Sequence, residues 1–286
     1  MDKEKEAEIG IIGGSGVYDP SMLDGIKSVE VDTPFGKPSS EISIGSVDDK
    51  KVAFLSRHGV GHHISPGELN SKANIYALKK IGVSHIISAS AVGSLKEDIA
   101  PLDVVIPDQI YDRTKRKGTF FEGGIVAHTG FADPFCPQLS DLLSRVGKEK
   151  GYSVHKGGTY VCIEGPQFST RAESFSYRQF GFDIIGMTAI PEARFAREAE
   201  ICYATLATVT DYDVWKDEEV SIEIVISNVK KNEVAVRDII MDAIPKISLD
   251  KNCSCQNALE NAIITDRDVI PKETKDRLDF LVGKYI

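Results

Sequence analysis

The chain has 286 residues, enough for one large α/β domain or two small ones with a full core, and its formal net charge is −9. That acidic balance speaks against a broad basic surface for nucleic acid, so an anionic ligand would need a local pocket of Arg, His and backbone N–H groups. No apolar run reaches the roughly 18 residues of a membrane helix, and the opening MDKEKEAEIG is charged, unlike a secretory leader; a soluble, cytoplasmic protein with no membrane partner is expected.

In chain order, residues 8–12 form a β-branched run that enters Gly13-Gly14-Ser15-Gly16, a strand followed by a tight turn. The glycines at 10, 13, 14 and 16 lack the G-x-G-x-x-G spacing of a dinucleotide site, and Asp19-Pro20 breaks the chain early. An anion-binding turn fits better, with backbone N–H groups aimed at phosphate and the Ser15 hydroxyl beside them; a plain turn is the competing reading. A strand over 51–55 leads to Arg57-His58-Gly59. Arginine at a strand end suits a small dianion, because its planar donors match phosphate oxygens, and His58 adds a donor; a surface ion pair competes. Residues 68–81 carry apolar side chains at helical spacing and stop at Gly82. A buried strand over 85–89 runs into Ser90-Ala91-Val92-Gly93-Ser94, where small residues let a ligand approach the backbone.

A strand over 103–106 ends at Pro107, and 107–135 is turn-rich. Then come a helix over 137–150, a strand over 159–163, a helix over 171–180 and a short strand over 183–185 before Gly186-Met187-Thr188. A helix over 191–199, a strand over 202–208 and a long amphipathic helix over 221–244 follow. This alternation predicts a single α/β domain over 1–245, with a mixed, largely parallel central sheet flanked by helices. Residues 246–286 read as a C-terminal extension with a terminal helix from 271.

Asp211 and Asp213, in Thr210-Asp211-Tyr212-Asp213, stand just past a strand, where both can project toward one ligand. Two close carboxylates push at least one pKa up, so one can hold a proton near neutrality; a solvated turn is the commoner fate of a lone D-x-D. Taken together, several strand ends present one polar group each. They describe a pocket with a phosphate end (Ser15, Arg57, Ser90, Thr188) and an acid end (Asp211, Asp213).

The five cysteines, Cys136, Cys162, Cys202, Cys253 and Cys255, are odd in number and widely spaced, unlike a secreted disulfide framework. Cys253-Ser254-Cys255 has no second pair of Cys or His nearby at zinc spacing, and His58, His62 and His63 lack completing ligands, so no metal is expected. Incidental thiols, a strained local disulfide, or pairing with other cysteines in a thermophile's cytoplasm remain open for the CSC segment.

The segments IGIIGGSGVYDP, SRHGVGH, SAVGSL, FADPFCP, CIEGPQFSTRAES, GMTAIPEARFAREAEICYA and TDYDVW resemble those of the trimer-forming purine nucleoside phosphorylase superfamily, over about residues 8–245, and within it the branch that splits 5′-methylthioadenosine. The resemblance implies phosphorolysis to adenine and 5-methylthioribose 1-phosphate, with inorganic phosphate as co-substrate and no cofactor, in a homotrimer or a dimer of trimers. It implies phosphate contacts from Ser15, Arg57, His58, Ser90, Ala91 and Thr188. Met187 falls under the ribose, Phe168 and Ser169 at the base, His128 near the 5′ substituent, and Ile222 and Ile226 around the methylthio group. Asp211, held protonated, would serve the seven-position nitrogen of the leaving purine, and Asp213 would accept from the six-amino group. Branches that read 6-oxopurines place Asn at the position of Asp211; a carbonyl needs a donor and an amino group an acceptor, so Asp-x-Asp favours adenine. Ser15 and Ser90 stand where some members have Thr, and Gln167 where Arg is common. The CSC tail resembles those of thermophilic archaeal members, which implies disulfides, with Cys136 and Cys202 as another pair. The rival readings are a phosphorylase for methylthioinosine, inosine or adenosine, a hydrolytic nucleosidase, and a non-catalytic nucleotide-binding protein.

Overall fold

In the computed structural model, residues 5–14, 23–216, 222–250 and 252–286 are described. The centre of the sheet is parallel: β1 (Ile9–Gly13) lies between β4 (Lys50–Ser56) and β5 (His85–Ser94), and β5 pairs on its other side with β11 (Cys202–Asp211). β1 is buried at every position and β11 at all but its last. Strands covered on both faces carry continuous apolar runs, which is why the sequence shows them so clearly. β2 (Asp24–Val29) and β3 (Ile42–Val47) add an antiparallel edge to β4. β6 (Val104–Ile106) continues from β11 to β8 (Val154–Lys156).

β5 is where the sheet divides. Its first part pairs with β1 and β11, while Gly93 and Ser94 pair antiparallel with β10 (Ile184–Gly186). From β10 a second branch runs through β9 (Thr159–Cys162) to β7 (Gln109–Asp112). Opposite this fork, the register of β11 slips between Val209 and Asp211. Such a bulge bends a strand and re-aims its side chains, here those of the TDYD segment. The expected mixed, largely parallel α/β sheet is therefore present, with four strands the pattern did not reveal. β2 is exposed at all but its last residue, β3 and β7 interrupt turn-rich sequence, and β8 is three residues long.

Helices flank the sheet. α1 (Ser71–Lys80) starts where the Asn70 side chain accepts from the Ala73 N–H, and α3 (Arg171–Gln179) starts at a reciprocal Thr170–Glu173 capping box. α2 (Pro137–Glu149) opens with proline in its first turn, where the missing N–H costs nothing. α4 (Ala189–Glu198) follows β10, and α5 (Ile222–Ala243) crosses back along β11. Among the described residues, no helix is long and apolar enough to cross a membrane.

The C-terminal extension is built into the body. Ile270, together with Leu278, Leu281 and Val282 of α6 (Lys272–Val282), shares one buried cluster with Phe120, Phe121 and Ile125. Ala127 bridges to Ile263, and Glu200 receives both Lys284 Nζ at 2.7 Å and the Tyr285 hydroxyl at 2.6 Å. The cysteine pairs expected from the resemblance are not bonded: all five thiols are free and buried. Cys136, Cys202, Cys253 and Cys255 meet as a group of four instead, because the extension brings the CSC turn against β11 and the start of α2.

Candidate active site

The carboxyl ends of β1, β4, β5, β10 and β11 open into one cavity of about 730 Å3, a small-ligand volume at the place where open α/β sheets bind ligands. Arg57, His58, Ser90, Ala91, Met187 and Thr188 line it from the sheet, Phe168 and Ser169 from the segment before α3, Asp211 and Asp213 from the end of β11, and Ile222 and Ile226 from α5. Ser15 falls outside the described residues; Gly14 beside it lines the cavity.

At the phosphate end, Arg57 is not a solvent-facing cation but a buried one. Its Nε and Nη2 bind both oxygens of Glu192 at 2.9 and 3.0 Å, Nη2 also reaches Ser88 Oγ at 2.7 Å, and Nη1 donates to Ala89 O at 2.8 Å. Burial works against the charge of Arg57, but Glu192 outweighs it and holds the pKa above its ordinary value. Glu192 is itself fixed by the Ser88 and Tyr203 hydroxyls, each at 2.7 Å. Of the five guanidinium donors, these bonds leave a second Nη1 proton for an anion. Most of the planar donor set that suits a dianion is thus committed to Glu192, Ser88 and Ala89.

Beside Arg57, Ser90 Oγ lies 3.2 Å from Thr188 Oγ1 and 3.1 Å from the Tyr160 hydroxyl. Burial pushes the Tyr160 phenol up to about 12, so it stays a neutral donor. Gly186 makes this contact possible, since a Cβ there would collide with the Tyr160 hydroxyl. His58 Nδ1 sits 2.9 Å from Ile64 O, and burial lowers its pKa to about 4. A neutral ring that donates from Nδ1 to a carbonyl presents a lone pair at Nε2. His58 thus presents an acceptor toward the cavity, where the sequence pointed to a donor.

At the acid end, Asp211 accepts from the Thr210 hydroxyl at 2.6 Å and from the Asp213 N–H at 2.8 Å. Burial raises the pKa of Asp211 against both bonds. Asp213 has a φ of +51°, which folds its N–H back onto Asp211. Burial, and then the neighbouring Asp211 charge, pushes Asp213 to about 6 against the Ser174 hydroxyl, which favours the ionised form; no hydrogen bond closes on its buried Oδ2. The Ser169 hydroxyl on the same cavity is likewise unpartnered. Buried polar atoms without partners are costly, and both belong to residues that line the cavity.

α5 forms the apolar wall: Ile222, Val225, Ile226 and Val229 recur at helical spacing along the cavity. Ile222 and Ile226 are 64% and 50% exposed, apolar area that a ligand or neighbour would cover. The helix is held to β11 by Asn228 Nδ2 on Thr210 O at 2.7 Å and Asn232 Nδ2 on Val209 O at 3.0 Å.

Sequence reasoning missed several supporting groups. Glu192 and Tyr203 sit in apolar helical and strand patterns that gave no chemical signal. Arg116, in the turn-rich segment, donates to Met187 O at 2.6 Å and Ile190 O at 2.9 Å and pairs with Glu164 at 3.1 Å, fixing the loop that carries Met187 and Thr188. One expected member is absent from the cavity: His128 is exposed, its segment tied to the C-terminal extension by the His128 N–H to Ala262 O bond at 2.8 Å.

The family model described as Phosphorylase superfamily matches residues 8–245. The chain is 52% identical to the S-methyl-5′-thioadenosine phosphorylase of Geobacter sulfurreducens, covering 98% of this chain and 100% of the relative, and 52% identical to that of Nitrosopumilus maritimus, covering 91% and 99%. Among solved structures, a methylthioadenosine phosphorylase from an Antarctic soil metagenomic library superposes with a TM-score of 0.92 at 49% identity, covering 97% of this chain and 99% of that one. The Schistosoma mansoni methylthioadenosine phosphorylase in complex with adenine superposes with a TM-score of 0.85 at 38% identity, covering 92% and 99%. The chain belongs to the phosphorylase superfamily.

Proposed function

We infer that the chain is a phosphate-dependent pentosyltransferase that splits 5′-methylthioadenosine into adenine and 5-methylthioribose 1-phosphate. The observation that carries this reading is one cavity with a hydroxyl-and-arginine end, a paired-carboxylate end and an apolar wall. Departure of the base leaves an oxocarbenium-like sugar, and phosphate attacks the anomeric carbon from the opposite face. The phosphate charge stabilises the developing cation while fixed donors orient it. Thr188, Ser90, Ser15, the free Nη1 proton of Arg57 and the backbone of Ala91 and Gly14 are proposed to hold it. His58 Nε2 would accept from a phosphate hydroxyl, or take up a proton as the dianion raises its pKa. Met187 would support the ribose, and Phe168 and Ser169 the base. The reaction is redox-neutral, and no cofactor beyond co-substrate phosphate is proposed.

Asp211 is proposed to serve the seven-position nitrogen of the leaving base and Asp213 the six-amino group. One observation favours the reverse: the unpartnered Oδ2 of Asp213 makes it the more easily protonated member of the pair. Ile222 and Ile226 would enclose the methylthio group. A homotrimer or a dimer of trimers is the proposed assembly. Because His128 is exposed and off its own cavity, it is proposed to reach the 5′ end of a substrate held by a neighbouring protomer. Free thiols throughout the described residues fit a reducing, cytoplasmic location.

The test is base release from methylthioadenosine, methylthioinosine and adenosine, each with and without phosphate. Phosphate-dependent adenine release, fastest from methylthioadenosine, is expected. Undiminished release without phosphate would mean a hydrolase, and a wide preference for methylthioinosine would overturn the reading of Asp211 and Asp213.

A further inference from the structure

The four-thiol cluster lies outside the cavity just described; none of its members lines it. Cys136 precedes α2, Cys202 opens β11, and Cys253 and Cys255 come from the short turn that starts the C-terminal extension. Their sulfurs all lie within 4.8 Å of one another, and Cys136 Sγ is 3.5 Å from Cys253 Sγ. Contacts join Cys136 to Cys202 and Cys255, and Cys255 in turn to Cys202 and Cys253. The arrangement is thus one compact group rather than two separate pairs. A tetrahedral tetrathiolate with metal–sulfur bonds of about 2.3 Å has sulfur–sulfur edges of about 3.8 Å. The cluster is close to that size, and far from the roughly 2 Å of a disulfide.

A metal ligand must be a thiolate, so binding has to displace the thiol protons. Cys136 is the residue capping the N-terminus of α2, where unpaired N–H groups and the helix dipole stabilise negative charge. Gln256 Nε2 donates to Cys202 Sγ at 3.7 Å, a bond to the ligand atom of the kind that orients metal sites from behind. Cys255, Ser254 and Arg197 also line a second surface cavity of about 750 Å3, which gives an ion a way in.

We propose that Cys136, Cys202, Cys253 and Cys255 form a structural site for one divalent zinc ion, which ties the C-terminal extension to β11 and α2. Binding releases the thiol protons to solvent, leaves four zinc–sulfur bonds and changes no oxidation state. Two disulfides from the same thiols would need an oxidant to take up two electron pairs. The linear sequence hides the site because its ligands come from three distant segments, and only the CSC pair is local.

The experiment uses the full chain, purified reduced and without chelators. Zinc is measured per chain after gel filtration, and the metal-stripped protein is titrated with cobalt(II) alone. One retained zinc per chain is expected, together with a sulfur-to-cobalt charge-transfer band and the visible bands of tetrahedral cobalt at one equivalent. Cys255→Ser is expected to weaken metal binding more than about tenfold, while phosphorolysis persists because the site is remote from the cavity. Should that variant fail to fold, the cobalt spectrum of the wild-type chain decides. Stripped, reduced protein that takes up neither ion would overturn the proposal. So would freshly isolated protein whose unreduced mass is four hydrogens short, since its ligands would be consumed in disulfides.

Discussion

The backbone N–H of Asp213 donates to Asp211 Oδ1 at 2.8 Å, so two carboxyls with one chemistry have different environments. Asp211 has a bond on each oxygen, whereas Oδ2 of Asp213 has none. The pKa of Asp213 is raised from 3.8 to about 6. A raised carboxyl binds its proton more tightly in the folded state, so it adds stability at low pH. That stability is lost as pH rises from about 4 to about 6 and stays lost above. Removing the charge should restore it: Asp213→Asn is expected to melt higher than the wild type at pH 8, by up to about 3 kcal/mol, with the gap closing toward pH 4. Thermal melts at the two pH values check this. Equal gaps at both would mean that Asp213 is not perturbed.

The same pair separates the two proton assignments. Loss of a positioned proton donor costs about 100-fold or more in turnover. If Asp211 serves the leaving base, Asp211→Asn lowers kcat on methylthioadenosine by that order and shifts preference toward 6-oxopurines, while Asp213→Asn acts mainly through KM. Reversal of the two effects would assign the proton to Asp213.

Much of this site was legible in sequence because each strand end announces itself. Arg57, Ser90, Thr188 and Asp211 each follow an apolar run by a residue or two, and such runs mark strands buried on both faces. What the residues do to one another was not legible. Glu192 lies 135 positions from Arg57, and only the fold shows that it occupies most of the guanidinium. The tautomer of His58 depends on Ile64 O, a backbone atom with no sequence signal. The short strands β7 and β8 escaped for another reason. They are too brief to show a period, and pairing with β9 and β6 in the sheet is what holds them.

Glu192 is the positioning residue for Arg57. Glu192→Gln keeps the shape and removes the charge, leaving a buried guanidinium without its counter-ion. Breaking a buried pair in this way costs about 3–5 kcal/mol, so a marked fall in Tm is expected. If the pair also aims the free Nη1 proton at phosphate, the KM for phosphate rises while the KM for the nucleoside stays near its wild-type value. A variant with lower Tm but unchanged phosphate KM would give Glu192 a purely structural part.

His58 offers a direct readout of phosphate. Burial lowers its pKa from 6.5 to about 4. A dianion beside Nε2 favours the protonated ring, and an opposite charge within a few ångströms moves a pKa by about 1–3 units. The imidazole nitrogen signals of His58, followed by NMR across pH, should therefore titrate at least about one unit higher in saturating phosphate. Titration that ignores phosphate would remove His58 from the phosphate end.

The apolar wall decides the sugar side of the specificity. Ile222 and Ile226 stand one helical turn apart on α5, half or more exposed, and both face the cavity. A methylthio group buried against them gains what a hydroxyl cannot, and a small apolar difference in a pocket is worth about 10–200-fold in discrimination. Ile226→Ala should thus lower kcat/KM for methylthioadenosine by about tenfold and change that for adenosine little, because a 5′-hydroxyl draws less from an apolar contact. The two substrates must be compared on the same variant, since α5 also anchors the end of β11 through Asn228 and Asn232. A disturbed helix would displace Thr210 and Asp211 and depress both reactions together. Selective loss with methylthioadenosine supports the wall as its pocket. Equal loss with both would leave α5 as a brace for the carboxylates, and the methylthio group would have to be read elsewhere.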